Sequence, residues 1–248
     1  MNLFFEIHQG LPREAPGSDS DTCRAITLLP PMKSPRILDI GCGPGGQTLE
    51  LARQTGGTVI ALDTHQPFLD ELDAKASKAG LADKISTLNR SMFAMDFEPF
   101  SFDLVWAEGS IYIYGLEKAL KEWSILLHKG GCMGITEAVW LRENPPQAAF
   151  EFWQAAYPEM RLQSEVLDLI PSMGYELLGH FVLPESSWWE SYYTPLQSRI
   201  DQLRDQYADD IEAQAQLDEE EREIEIYRRY HDWYGYAFFV IQKSELVR

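Results

Sequence analysis

Residues 36–46, RILDIGCGPGG, constrain the fold more than any other segment. An apolar, β-branched strand carrying Asp39 breaks into a turn holding Gly41, Gly43, Gly45 and Gly46, and a helix starts at once. Glycines at such a turn permit positive φ and let a ligand approach the backbone without meeting a Cβ. Residues 47–54 (QTLELARQ) place Leu49 and Ala52 at helical spacing and stop at Gly56-Gly57. The turn therefore presents the unpaired N–H groups of a helix N-terminus, as a cofactor-binding turn does.

Gly41-x-Gly43-x-x-Gly46 also satisfies the dinucleotide fingerprint G-x-G-x-x-G. A pyrophosphate site presents N–H groups to a dianion, and Asp39, two residues before the first glycine, would repel that ligand. A cofactor with cationic groups suits it better, and S-adenosylmethionine carries a sulfonium and an ammonium. The run D-x-G-x-G-x-G from Asp39 to Gly45 resembles motif I of the class I S-adenosylmethionine-dependent methyltransferases, in particular the type 11 or ubiquinone-biosynthesis-like group.

The following segments extend the resemblance. Residues 58–62 (TVIAL) read as a buried strand with Asp63 at its carboxyl end, where open α/β sheets bind ligands. Pro67 opens a helix with Leu69, Leu72, Ala76 and Ala79 on one face, closed by Gly80. Residues 85–88 form strand three, and residues 102–107 (FDLVWA) form strand four, followed by Glu108-Gly109-Ser110. Leu116, Leu120, Trp123 and Leu127 mark an amphipathic helix stopped by Lys129-Gly130-Gly131, with strand five over 132–140. These motifs cover residues 36–140.

The resemblance implies a Rossmann-like, doubly wound α/β sheet of seven strands with the last antiparallel, and S-adenosyl-L-methionine as cofactor. It assigns the turn to Asp39, Gly41, Cys42 and Gly43, and the ribose to Asp63 with Thr64 beside it. Adenine falls to Ser91, Met92 and Phe93; Ser91 stands where the family commonly has an acid, so the Met92 amide and the surroundings of Phe93 are expected to carry more of that contact. Glu108 borders the transferred methyl, and Arg13, in an N-terminal segment that would fold over the methionine end, faces its carboxylate.

The remaining chain supplies the parts around this core. Residues 1–34 read as a short aromatic helix, a loop through Pro12 and Pro16, and a helix from about Asp21 capped by Asp19 or Asp21. After strand five, residues 147–157 and 164–173 read as helices, 175–183 as a strand and 234–243 as the last strand. The chain is expected to be one domain, with the core at 35–183 and 234–248 and a helical cap at 184–233 inserted between the last two strands. Thr194-Pro195 starts a cap helix whose stripe is Leu196, Ile200, Leu203, Tyr207 and Ile211. Trp140, Trp188 and Tyr192 are candidates for an apolar or aromatic acceptor pocket, and the acidic run 218–221 reads as a solvated helix face.

At 248 residues and 45% hydrophobic content, the chain can bury a full core. Its 21 Lys and Arg against 39 Asp and Glu leave a net charge of -18, which disfavours nucleic acid and an anionic membrane surface. Cys23, Cys42 and Cys132 show no metal-ligand spacing, and no metal is expected. The first residues lack the features of a secretory leader, and no segment approaches the roughly 20 apolar residues of a membrane span. A cytoplasmic setting is expected.

Methyl transfer from a sulfonium is an in-line displacement with an activated electrophile, so the protein mainly aligns donor and acceptor and excludes water. The expected acceptor is a small molecule. Glu108 is the first candidate for a catalytic proton acceptor, with His8 and His231 behind it and Glu137 on strand five a further position. Two rival functions are a nicotinamide-dependent oxidoreductase, disfavoured by Asp39 and the antiparallel ending, and a non-catalytic cofactor-binding protein that acts through a partner.

Overall fold

The computed structural model describes residues 3–244. The strands are β1 (Arg36–Ile40), β2 (Thr58–Asp63), β3 (Ile85–Asn89), β4 (Phe102–Ala107), β5 (Leu127–Trp140), β6 (Arg161–Leu162), β7 (Tyr175–Val182) and β8 (Tyr234–Lys243). They form one sheet in the order β3-β2-β1-β4-β5-β8-β7, with the two-residue β6 paired to β5 off this path. β1 to β5 run parallel, and β8 lies antiparallel between β5 and β7. The sheet is the expected one, and β6 is the addition.

The helices are α1 (Leu3–Ile7), α2 (Asp19–Ile26), α3 (Gly46–Thr55), α4 (Gln66–Lys78), α5 (Ile111–Tyr114), α6 (Leu116–Trp123), α7 (Gln147–Ala156), α8 (Gln163–Ser172), α9 (Glu185–Trp188), α10 (Thr194–Gln206) and α11 (Ile211–Tyr230). Alternation along the strands builds two cores, one on each face of the sheet. Ile37, Leu104, Trp106, Cys132, Phe238 and Val240 share one core with residues of α3, α4 and α9–α11. Leu38, Ile40, Val105, Met133, Ile135 and Phe239 share the other with residues of α5, α6 and α8. Each such fully buried aliphatic side chain contributes roughly 1.5–3 kcal/mol of transfer free energy.

One glycine decides how the central strands pack. A Cβ on Gly134 of β5 would overlap the Trp106 ring, so only glycine lets that indole lie against the strand. The indole Nε1 in turn donates to Glu108, 2.8 Å away, just beyond the end of β4.

Several boundaries differ from the sequence pattern. Ser18 caps α2, not Asp19 or Asp21, because its extended backbone lets its hydroxyl accept from the Asp21 N–H. α6 ends at Trp123, and Lys129-Gly130-Gly131 lies inside β5. A short 3-10 turn over Ser124–Leu126 closes the helix, so the glycines are not its stop.

Residues 184–233 depart most. The chain is helical from Glu185, and a π turn at Trp189–Tyr193 joins α9 to α10 where Pro195 withholds an N–H from the ladder. Leu196, Ile200 and Leu203 are buried as their spacing requires. Ile211 is not on that stripe: α10 stops at Gln206, and Ile211 starts α11 with 86% exposure. In the acidic run, Asp218 and Glu219 are exposed while Glu220 turns inward.

Candidate functional site

A cleft of about 320 Å³ opens over the carboxyl ends of β1, β2 and β4, where the strand order reverses between β1 and β4. Its floor is the glycine turn. Gly41 sits at φ 73°, and a Cβ there would lie 2.5 Å from Ser110 Cβ, so this position takes glycine on two grounds. The turn is tied to β2: the N–H groups of Gly41 and Cys42 donate to the Leu62 carbonyl at 2.8 and 3.0 Å, and that of Gly43 donates to Asp63 Oδ2 at 3.0 Å. The Ser110 hydroxyl donates to the Ile40 carbonyl at 2.6 Å and locks the end of β4 against β1.

Asp63 and Thr64 line the cleft, as do Gly41, Cys42 and Gly43. Asp63 Oδ1 also accepts from the His65 N–H at 2.9 Å, which fixes the carboxylate while leaving acceptor capacity on both oxygens. Ser91, Met92 and Phe93 form the opposite rim, and the Ser91 hydroxyl accepts from the Phe93 N–H at 3.2 Å. Phe93 stacks on Tyr114, with ring centroids 5.0 Å apart.

Asp39 is elsewhere. It is fully buried beneath the turn, outside the lining of the cleft, and its Oδ2 accepts from the Thr48 hydroxyl of α3 at 2.6 Å. Burial pushes its carboxyl up to about 7, against the Thr48 hydrogen bond. Its place is thus between β1 and α3, where it anchors the helix that the turn launches. β1 alternation explains this: Ile37 and Asp39 share the face covered by α3, and the side chain cannot also reach the cleft.

Glu108 and Arg13 line the inner wall and are both buried. Arg13 Nη1 donates to Glu108 Oε2 at 2.8 Å, and Arg13 Nη2 donates to Asp19 at 3.0 Å. Glu108 Oε1 accepts from the Thr22 hydroxyl at 2.7 Å and from the Trp106 indole. Burial raises the Glu108 carboxyl, and Arg13 opposes the rise. Both carboxylate oxygens are engaged, so Glu108 fixes charge and geometry at the end of β4.

The histidine and aromatic candidates stand outside the cleft. His8 is buried behind its wall, 2.9 Å from Glu14 and 3.8 Å from Glu220 of α11. His231 follows the end of α11, 2.9 Å from Glu185. Trp140, Trp188 and Tyr192 are all buried in the core cluster that joins residues 184–233 to the sheet, and none lines the cleft. Trp188 stacks on Tyr227 at 4.0 Å, and Trp140 packs edge-on to Tyr234 at 6.1 Å. Their large apolar faces are consumed by packing.

Other residues reach the site without having been read from the sequence. Glu14, Ala15 and Pro16 line the cleft from the N-terminal loop, and Tyr112 and Ile113 do so from α5. Proximity of the segment IYIY to the end of β4 was the available signal, since that loop lies at the ligand-binding edge of an α/β sheet.

A family model described as a methyltransferase domain matches residues 37–131, which hold the turn, Asp63 and Glu108. Over those residues the chain resembles a methyltransferase domain. Among curated proteins, a sterol 24-C-methyltransferase from Clavispora lusitaniae is 37% identical over 105 residues, 42% of this chain and 28% of that protein. The chain spans less than half the length of the curated relatives it matches. The likeness in fold extends beyond those residues. A structure of an S-adenosylmethionine-dependent methyltransferase from Thiobacillus denitrificans, in complex with S-adenosyl-L-homocysteine, superposes with a TM-score of 0.82 at 20% identity and covers 97% of this chain and 98% of its own. The cyclase SpnF superposes with a TM-score of 0.75 at 19% identity, covering 98% and 91%.

Proposed function

We propose that this protein transfers a methyl group from S-adenosyl-L-methionine to a small-molecule acceptor. The observation that carries this is the bonding of the glycine turn. The N–H groups of Gly41, Cys42, Gly43 and Gly45 each already donate to an acceptor within the turn or on β2, so they do not form a cradle for a pyrophosphate. A nicotinamide dinucleotide is disfavoured on that ground. The cleft instead offers the carboxylates of Glu14 and Asp63 to a ligand with cationic groups.

When bound, the cofactor supplies a sulfonium-activated methyl. In this reading Asp63 takes the ribose hydroxyls, Ser91, Met92 and Phe93 take the adenine ring, and Arg13 and Glu108 form the wall beside the reacting end. Phe4 of α1 and Pro16 of the N-terminal loop line the cleft beside them. α1 is itself fastened to α10, where Tyr207 donates its hydroxyl to Glu6 at 2.8 Å and Arg199 Nε donates to the Glu6 carbonyl at 3.1 Å.

We read the chain as one domain in which residues 184–233 are a helical cap. Free Cys23, Cys42 and Cys132 fit a reducing cytoplasm. Among the described residues no helix is long and apolar enough to cross a membrane. The charge of -18 supports a small-molecule substrate over nucleic acid.

The test uses cofactor with a deuterated methyl, incubated with the protein and a small-molecule extract. Mass spectrometry is expected to find a protein-dependent product that carries the label. Tight cofactor binding with no labelled product would favour the non-catalytic reading.

A further inference from the structure

The mouth of the cleft has a composition that narrows the acceptor. Phe4 of α1, Phe93 after β3, and Tyr112 and Ile113 of α5 all line it, and they are 41, 58, 40 and 50% exposed. Three separate elements thus bring large apolar side chains into water around one opening. Elsewhere, most side chains of this kind are buried in the two cores, so an exposed ring of them at a cleft marks a surface with an apolar ligand to cover it.

The charges point the same way. Glu14, Asp63 and Glu108 face the cleft, while the cationic side chains among its described lining residues are Arg13 and Arg90. Arg13 is bonded to Glu108 and Asp19, and Arg90 pairs with Asp96. The N–H groups of Gly41, Cys42, Gly43 and Gly45 are engaged as described. Neither guanidinium therefore stands ready to hold a phosphate or carboxylate on the acceptor, and the carboxylates of Glu14 and Asp63 would oppose one.

We propose that the acceptor is an apolar molecule with a neutral or cationic head and no anionic group, its hydrophobic body resting on the collar of Phe4, Tyr112 and Ile113. This rests on the methyltransferase reading above. It separates acceptors that the fold alone does not: a neutral or amine-bearing isoprenoid or polycycle fits, and its phosphate ester does not. Tyr112 is the collar residue best placed to report on it, since its ring also packs edge-on to Tyr157, with centroids 5.8 Å apart, and so has a fixed orientation at the opening.

The experiment is calorimetry on the protein saturated with S-adenosyl-L-homocysteine, titrated with geraniol, geranylamine and geranyl diphosphate. The three probes share one hydrocarbon body and differ in head charge. Geraniol and geranylamine are expected to bind, with geranyl diphosphate weaker by roughly tenfold or more. Tyr112→Ala and Ile113→Ala should each weaken geraniol several-fold and leave homocysteine-cofactor affinity within about twofold. Equal or tighter binding of the diphosphate, or binding of neither uncharged nor cationic probe, overturns the proposal. Failure of S-adenosyl-L-homocysteine itself to bind is a separate result and overturns the cofactor reading instead.

Discussion

Arg13 and Glu108 meet at 2.8 Å although 95 positions separate them, and both are buried. The contact fastens the N-terminal loop to the end of β4 across the inner wall of the cleft. Removing one partner strands the other charge away from water, which typically costs about 3–5 kcal/mol. Arg13→Ala is therefore expected to lower unfolding stability by roughly that amount at pH 7. Chemical denaturation would show it, and an unchanged midpoint would mean that water or another donor reaches Glu108.

Glu137 of β5 gives a pH-dependent prediction. Its Oε1 accepts from the Tyr157 hydroxyl at 2.5 Å, its Oε2 is buried without a partner, and burial pushes the carboxyl up to about 8 despite Tyr157 and Arg161. The unfolded group titrates near 4.3. A folded value above the unfolded one means that its contribution is fully present below about pH 4 and is lost as the pH rises toward 8. Glu137→Gln should thus raise the melting temperature at pH 8 and change it little at pH 4. The opposite ordering would show that Glu137 is ionised and compensated in the fold.

His8 behaves in the reverse chemical sense. Burial alone would lower its value, but the hydrogen bonds and charges of Glu14 and Glu220 raise it to about 9. Tyr192 also faces the ring, with centroids 6.2 Å apart, and Phe4 stacks on it at 4.3 Å. The stability advantage over His8→Gln should be full below about pH 6.5 and vanish as the pH rises through 9. An imidazole that titrates near 6.5 by NMR would contradict the arrangement.

Trp188 tests what the aromatics of residues 184–233 do. It is buried, stacked on Tyr227 and tilted against Tyr236 at 5.4 Å. Trp188→Ala should cost about 3–5 kcal/mol of stability, as large aromatic truncations in cores do. Acceptor preference at a temperature where the variant stays folded should be unchanged. A switch of acceptor without loss of stability would return Trp188 to the substrate site.

The sheet was legible because its strands are buried on both faces and read as apolar runs, and because Gly41, Gly43 and Asp63 mark the carboxyl edge in the chain itself. Asp39 was misplaced for a simple reason: spacing shows that it precedes the turn, whereas the side of β1 it takes depends on strand parity against a helix not yet docked. The aromatics misled in a related way. Trp188 and Tyr192 look like a pocket in sequence, but pocket and core are made from the same residue types, and only the position of α11 decides between them. Glu14, Tyr112 and Ile113 carried no motif at all. They reach the cleft through a loop and a four-residue helix whose paths are set by tertiary contacts such as Ser187 to Asp21 at 2.5 Å.

The central claim is that the cleft over Gly41 and Asp63 binds S-adenosyl-L-methionine and not a dinucleotide. Calorimetric titration of the wild type and Asp63→Ala with S-adenosyl-L-homocysteine and with NAD tests it most directly. The account predicts clear binding of the homocysteine product, far weaker NAD, and a loss of about 1.5–3 kcal/mol on Asp63→Ala. NAD binding as tight as that of S-adenosyl-L-homocysteine, or an Asp63→Ala variant with unchanged affinity, would contradict it.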